Sequence, residues 1–286
     1  MIQDIFPSVF DNHFKNLLPD ADDAAFFFSD EGVLCHYDEE GKKIIFPLWK
    51  DFSNSGSDLK VVYLFSVDKR KYFLVSGVDI ALPEGFGFCS MKEIRRLPLV
   101  SNNEIFAAFS AFHLWSWYNQ SRFCGYCGEM NIFDSVERAM TCSKCGRKIY
   151  PRINPAVIIG IINGDKILIT KYRTGYAHSA LVAGFTEFGE TLEQTVEREV
   201  MEEVGLKVKN IFYYKSQPWG IALDLLTGFF CEVDGDDKIK MDEKELKYAQ
   251  WTKREDVELQ PNDYSLTNDM MKMFKNGFKL KNIISV

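Results

Sequence analysis

The stretch from Gly184 to Leu206, GFTEFGETLEQTVEREVMEEVGL, constrains this chain more than any other. Thr191 followed three residues later by Gln194 is a capping-box start, and Leu192, Val196 and Val200 recur every four residues to give one buried stripe. Gly205 supplies a left-handed stop. A loop leading into one short helix is therefore expected. Off the stripe, Glu199, Glu202 and Glu203 stand at i, i+3 and i+4, so their carboxylates are expected to crowd one patch of helix surface. A hard divalent cation with oxygen ligands would relieve that crowding. Mg²⁺ or Mn²⁺ suits, because such ions take a few carboxylates and keep waters and phosphate oxygens as their other ligands. A solvated acidic face is the alternative reading of the same residues.

Four of the chain's seven cysteines fall as Cys124-x-x-Cys127 and Cys142-x-x-Cys145, with fourteen residues between the pairs. Each pair sits in a tight turn, CGYCG or CSKCG, whose glycines let backbone amides point back at sulfur, and a tetrahedral Zn²⁺ closes such a ribbon. With four protein ligands the site is structural and has no open position. The competing reading is two redox dithiols or a disulfide pair, which the lack of a thioredoxin-like pattern disfavours. Cys35, Cys89 and Cys231 stand singly in apolar contexts and read as core thiols.

Ahead of the cysteines the segments AAFFF, VLCHY, KIIFPLW, LKVVYLFSV and KYFLVSGV, separated by the turn signals DEG and DEEG and by the charged DKRK, read as a meander-like sheet. NEIFAAFSAFHLWSWY is apolar almost all round, which predicts a buried helix capped by Asn102 or Asn103. From Asn154 the strands PAVIIGIING and KILITKY form a hairpin that leads through Arg173 and the loop residue His178 to ALVAGF and the acidic helix. VKNIFYYKSQPW and LLTGFFCEV follow as strands, then an acidic turn, AQWTKRED, and a helix near Leu266 to Phe274 ended by Asn276-Gly277. The chain is expected to be α+β in three parts. These are an N-terminal mixed-sheet domain over 1–119, a four-cysteine ribbon over 120–152, and an α/β/α sandwich over 153–286.

The N-terminus MIQDIFPSVFDNHF has no basic leader, and no run of 18 apolar residues occurs, so a cytoplasmic protein with no membrane partner is expected. The net charge of −7 argues against holding long nucleic acid by phosphate neutralisation, while leaving room to read one nucleotide end in a local basic pocket.

Gly184, five residues, Glu190, seven residues, Arg198-Glu199-Val200, one residue, Glu202-Glu203, one residue and Gly205-Leu206 together resemble the Nudix box at every defined position. The resemblance implies metal-dependent hydrolysis of a nucleoside diphosphate linked to another group. Glu199, Glu202 and Glu203 would hold Mg²⁺ or Mn²⁺, the backbone carbonyl of Ala183 would be a further ligand, and Glu190 would pair with Arg198 to fix the loop on the helix. Glu203 is taken as the general base. A bound metal would polarise the bridging pyrophosphate and lower the pKa of the attacking water, which carboxylates alone do not do at neutral pH.

A four-cysteine ribbon directly before such a domain, with an apolar domain ahead of it, is similar to the bacterial NADH pyrophosphatase family, whose members also remove NAD caps from RNA. That family carries SQPWPFPxS downstream of the box. Here Ser216, Gln217, Pro218 and Trp219 match, whereas Gly220, Ile221, Ala222 and Asp224 stand where the family has Pro, Phe, Pro and Ser. The resemblance implies substrate contacts at Tyr150, Gln217, Pro218, Trp219, Asp224 and, through its backbone, Thr267. It also implies a fourth metal-facing carboxylate at Glu245 and a homodimer with pockets built from both subunits. The implied reaction splits NAD(H) into AMP and nicotinamide mononucleotide, and extends to the 5′ ends of NAD-capped RNA. The altered segment keeps ADP-ribose or another nucleoside diphosphate sugar as the alternative substrate. A non-catalytic nucleotide sensor, docking through Arg147, Lys148 and Arg152, is a third reading against which the complete set of carboxylates counts.

Overall fold

Alternation along one strand organises the C-terminal half. In β1 (Asn154–Asn163) the odd residues Val157, Ile159 and Ile161 point to one side of the sheet, and the even residues Ile158 and Ile162 to the other. The odd set packs under helix α1 (Leu192–Val204) through Val196, Val200 and Val204. The even set packs under helix α2 (Leu266–Lys275) through Leu266, Met270, Met271 and Phe274. This is the expected α/β/α sandwich, and a strand buried on both faces reads as an unbroken apolar run for that reason.

The computed structural model describes every residue except 39–43, 57–58, 78–79, 97–100, 175–177, 279 and 281–286. Of the expected DEEG turn only Asp38 lies among the described residues. Two units emerge: Ile2–Arg152 with Gly220–Leu223, and Met1 with Ile153–Trp219 and Asp224–Val286.

In the second unit β2 (Lys166–Tyr172), β3 (Val182–Phe185), β4 (Val208–Trp219), β5 (Asp224–Val233) and β6 (Leu246–Lys253) join β1 in one mixed sheet of order β4-β5-β1-β2-β6. β1 runs parallel to β5, and its other edge is shared between two partners. Near the hairpin Ile162 and Asn163 pair with β2, while Ala156 to Ile159 pair with β3. Thr191 caps α1 and closes a capping box with Gln194, and Gly205, at φ 67°, ends the helix.

Ahead of the ribbon, the described residues of the first unit form two small sheets. In one, Phe10–Asp11, Lys60–Val67, Arg70–Ser76 and Ala24–Phe26 lie side by side, the last pair parallel. In the other, Gly32–Tyr37 is flanked by Phe28–Ser29, Ile44–Ile45 and Gly87–Cys89. The helix Asn102–Gln120 is capped by Ser101, whose hydroxyl accepts from the Glu104 amide, and not by the asparagines that follow it. The serine sits in extended backbone one residue before the first helical position, where a cap must be. Phe106, Phe109, Trp117 and Tyr118 are buried, and Trp115 stacks on Phe28. The ribbon is a three-stranded sheet of Asn131–Phe133, Met140–Cys142 and Lys148–Ile149. Arg138 reaches back from it to the carbonyls of Asn12 and Leu64. Among the described residues no helix is long and apolar enough to cross a membrane.

Candidate active site

The loop from Phe185 to Glu190 is clamped to α1 by a single guanidinium. Arg198 Nε and Nη2 take both oxygens of Glu190 at 2.6 and 3.0 Å, Nη2 also reaches the Phe185 carbonyl at 2.8 Å, and Nη1 donates to Glu199 at 2.7 Å and Glu202 at 3.0 Å. A planar fork suits this bidentate task where a lysine would not. Glu190 further accepts from the Glu187 amide and the Thr195 hydroxyl, both at 3.0 Å. The guanidinium foremost, then these donors, hold its pKa down at about 2.

Glu199 and Glu202 thus share Arg198, Glu202 exposed and Glu199 largely buried, whereas Glu203 turns inward. Glu203 is 2% exposed and accepts the Tyr172 hydroxyl at 3.0 and 3.2 Å. Burial, with the charges of Glu199 and Glu245 adding to it, pushes its pKa up to about 8. Burial also raises that of Glu199. Gly184 leaves the room Glu199 occupies: a Cβ there would meet the carboxyl carbon at 1.9 Å. The Tyr172 hydroxyl also takes the Ala183 amide at 3.1 Å. Glu245 ends the acidic turn beside these groups, its carbonyl held by the Arg173 amide. One location therefore gathers Ala183, Glu190, Arg198, Glu199, Glu202, Glu203 and Glu245. A cleft of about 480 Å³ lined by Lys166, Ile169, Ser179 and Tyr248 opens on the α2 side of the sheet and includes none of them.

The downstream residues gather at the same end of the sheet, across β1. Asp224 pairs with Asn154 and Trp219, and Ala156, two residues on, pairs with Phe185. Gln217, expected to meet substrate, is fully buried. Its side chain donates to the Tyr264 carbonyl at 2.8 Å and accepts the Leu266 amide at 2.7 Å, so it ties β4 to the first turn of α2. Thr267 lies in that turn, 8% exposed. Pro218 is exposed and Trp219 half-buried. Asp224 is 6% exposed, its Oδ1 has no hydrogen-bond partner, and burial pushes its pKa up to about 7. Tyr150 belongs to the first unit, where its hydroxyl donates to Glu137 at 3.1 Å.

In the ribbon the four cysteine sulfurs lie within 4.8 Å of one another, with Cys124–Cys145 at 3.8 Å and Cys127–Cys142 at 3.5 Å, and none is in a disulfide. The Cys145 amide points at Cys142 sulfur from 3.4 Å and leads the causes that bring that thiol down to about 6. Gly128 and Gly146, at φ 73° and 70°, close the two knuckles. Four sulfurs gathered this closely fit a metal ion.

Tyr172 is the site residue that motif reading missed. Alternation in KILITKY puts Leu168 and Tyr172 on the α1 face of β2, and that was the available signal.

A loop tied by Glu190 and Arg198 to a helix that carries these carboxylates lies within residues 152–273, which match the family model described as NUDIX domain. Over 151 residues the chain is 46% identical to the NAD-capped RNA hydrolase NudC of Escherichia coli (strain K12 / DH10B) and, equally, to that of Shigella boydii serotype 18. The match takes in 52% of this chain and 58% of each relative, so the chain spans little more than half the length of those relatives. Among solved structures, a NUDIX hydrolase from Nitrosomonas europaea overlays with a TM-score of 0.48 at 20% identity, over 55% of this chain and 92% of that one.

Proposed function

We propose that this protein is a Nudix pyrophosphohydrolase that splits NAD(H) into AMP and nicotinamide mononucleotide and acts on the NAD-capped 5′ end of RNA. The observation that carries the reading is the carboxylate set around Gly184, in which buried Glu203, half-buried Glu199 and nearby Glu245 repel one another in a poorly solvated corner. Such a donor set fits Mg²⁺ or Mn²⁺, held by Glu199, Glu202, Glu203, Glu245 and the Ala183 carbonyl. A cation bound there supplies the charge that polarises the pyrophosphate and acidifies the attacking water. The chain itself does the positioning. Arg198 and Glu190 hold the loop, and α1 presents the carboxylates on one rigid element. Glu203 suits a ligand gripped from below better than a base open to solvent, and Glu202, with 60% of its side chain exposed, is the freer candidate for accepting a proton. Tyr150, Pro218, Trp219, Asp224 and the Thr267 backbone are assigned to substrate, and Gln217 to holding Thr267 in place.

The ribbon thiols are assigned a structural Zn²⁺. A cytoplasmic homodimer whose pockets draw on both subunits completes the reading, with domains at 1–119, 120–152 and 153–286. The deciding experiment ranks kcat/KM for NADH, NAD⁺, ADP-ribose and an NAD-capped oligonucleotide with Mg²⁺ and with Mn²⁺. The dinucleotides and capped RNA should lead, and parity with ADP-ribose would sink the nicotinamide part. Glu203→Gln should bind nucleotide yet turn none over. ADP-ribose is the second reading because Gly220 to Asp224 lacks the family's prolines and phenylalanine.

A further inference from the structure

We infer that Tyr172 is a positioning residue whose hydroxyl sets the Glu203 carboxylate and the peptide at Ala183 as one unit, so that two of the assigned cation ligands are in register before a cation arrives. This rests on the assignment of those two groups made above. A phenol has one proton and can also accept. Here the hydroxyl stands 3.0 and 3.2 Å from the Glu203 oxygens and 3.4 Å from the Ala183 carbonyl, the carboxylate being the nearer acceptor, and a lone pair takes the Ala183 amide at 3.1 Å. One oxygen thereby links β2, β3 and α1.

The local backbone is built for this. Along the β2–β6 ladder Lys171 pairs with Tyr248, but Tyr172 pairs with Leu246, so Lys247 is skipped. An irregularity of this kind re-aims the side chain beside it, and such features concentrate near active sites. The Tyr172 ring packs against the apolar cluster beneath α1, in company with Leu246 and Val204. Ring and hydroxyl therefore have separable jobs: the ring fills the core, and the oxygen reaches the carboxylate. The division of labour with Arg198 is also clear. The guanidinium serves the two outer glutamates, and the phenol serves the inner one.

Tyr172→Phe keeps the ring and deletes the oxygen. Partners that orient metal ligands are worth roughly 10–100-fold in metal affinity. Titration of the full chain with Mn²⁺, followed by electron paramagnetic resonance of the free ion, should show binding weakened about 10-fold. The kcat/KM lost at low Mn²⁺ should partly return at high Mn²⁺. In cation-free protein, exchange of the Ala183 amide should accelerate, because it loses the phenol oxygen and keeps only the Glu203 carboxylate. Tyr248→Phe, whose hydroxyl lies 3.2 Å from Ser179, is the control and should change neither readout. Tyr172→His retains a ring N–H donor; it should bind Mn²⁺ more tightly than the phenylalanine variant, and it carries the test if that variant does not fold. Mn²⁺ affinity within twofold of wild type together with unchanged Ala183 exchange would overturn the assignment. A wild-type protein that binds no Mn²⁺ would instead overturn the cation reading of the site, and Ala183 exchange would then decide for or against Tyr172.

Discussion

Gly184→Ala is the smallest change that should separate the stability of this fold from its chemistry. The ideal Cβ would lie 1.9 Å from the Glu199 carboxyl carbon and 2.0 and 2.3 Å from its oxygens, where ordinary contact begins at 3.4 Å. The carboxylate must therefore move by 3.4 − 1.9 = 1.5 Å. The obstacle is the far end of a flexible side chain, and Gly184 is not among the left-handed glycines, so alanine strains no backbone there. Swinging Glu199 away gives up its 2.7 Å bond to Arg198, a partly exposed pair worth roughly 0.2–1 kcal/mol. Replacing glycine by alanine in an allowed conformation returns about 0.4–1 kcal/mol through the unfolded chain. The two nearly cancel, and since 1 kcal/mol shifts the Tm of a domain of this size by roughly 2–4 °C, melting should change by no more than a few degrees. Catalysis has no such offset: a misplacement of about 1 Å in a reacting constellation costs on the order of 10²-fold. The assays are a thermal melt and kcat/KM for NADH with Mg²⁺. A folded variant within threefold of wild type would refute the cradle argument, as would a melt lowered by more than about 8 °C, several times what these terms allow.

Three further outcomes are expected. Elemental analysis of the purified protein should find one tightly held zinc per chain, lost in Cys142→Ser and Cys145→Ser; a folded, metal-free protein with four titratable thiols in the ribbon would contradict it. Asp224 has its folded-state pKa raised from 3.8 to about 7, so ionisation is penalised only in the native state. The penalty is absent below the unfolded value, grows as pH rises from 3.8 to about 7, and is constant above. Asp224→Asn should match wild type near pH 4 and exceed it at pH 8 by about 2 kcal/mol, the scale of a buried polar atom left unpaired, as read by denaturant melts at each pH. Gly220→Pro, which introduces a residue of the SQPWPFPxS pattern that the segment resembles, should lower stability by about 1–3 kcal/mol and leave NADH turnover no higher, because a Cβ there would meet the Phe109 carbonyl at 2.1 Å. A stable variant with faster NADH turnover would show that the segment is free to take the family conformation.

Much of this was legible because it is local. Capping boxes, knuckle glycines and period-four stripes are written in neighbouring residues, so α1, its cap and the cluster of four thiols follow from spacing. The sandwich was legible in the unbroken apolar run of β1. What spacing could not reveal is the direction in which a side chain turns once elements pack. Glu202 and Glu203 are adjacent in sequence, yet one faces solvent on Arg198 and the other is drawn under the helix by a phenol from β2. Gln217 reads as part of a recognition motif, yet two backbone groups of the α2 terminus consume its amide. Ser101 caps the helix in place of the expected Asn102 or Asn103, because all three residue types are good caps and only backbone extension chooses among them.

The two halves of the site are built to different degrees of generality. The carboxylate half needs only its own unit: Arg198, Glu190, Gly184 and the glutamates constrain one another within a loop and one helix, which is why a short pattern suffices to encode it. The segment Gly220 to Leu223 is constrained from outside that set. Gly220 to Leu223 packs with the first unit, Gly220 lies against the Phe109 carbonyl of the helix Asn102–Gln120, and Leu223 is held at φ 59°, where bulky residues rarely sit. A residue held in that region persists only when its surroundings over-determine it. The conformation of Gly220 to Leu223 is therefore tied to the helix Asn102–Gln120 within its own unit.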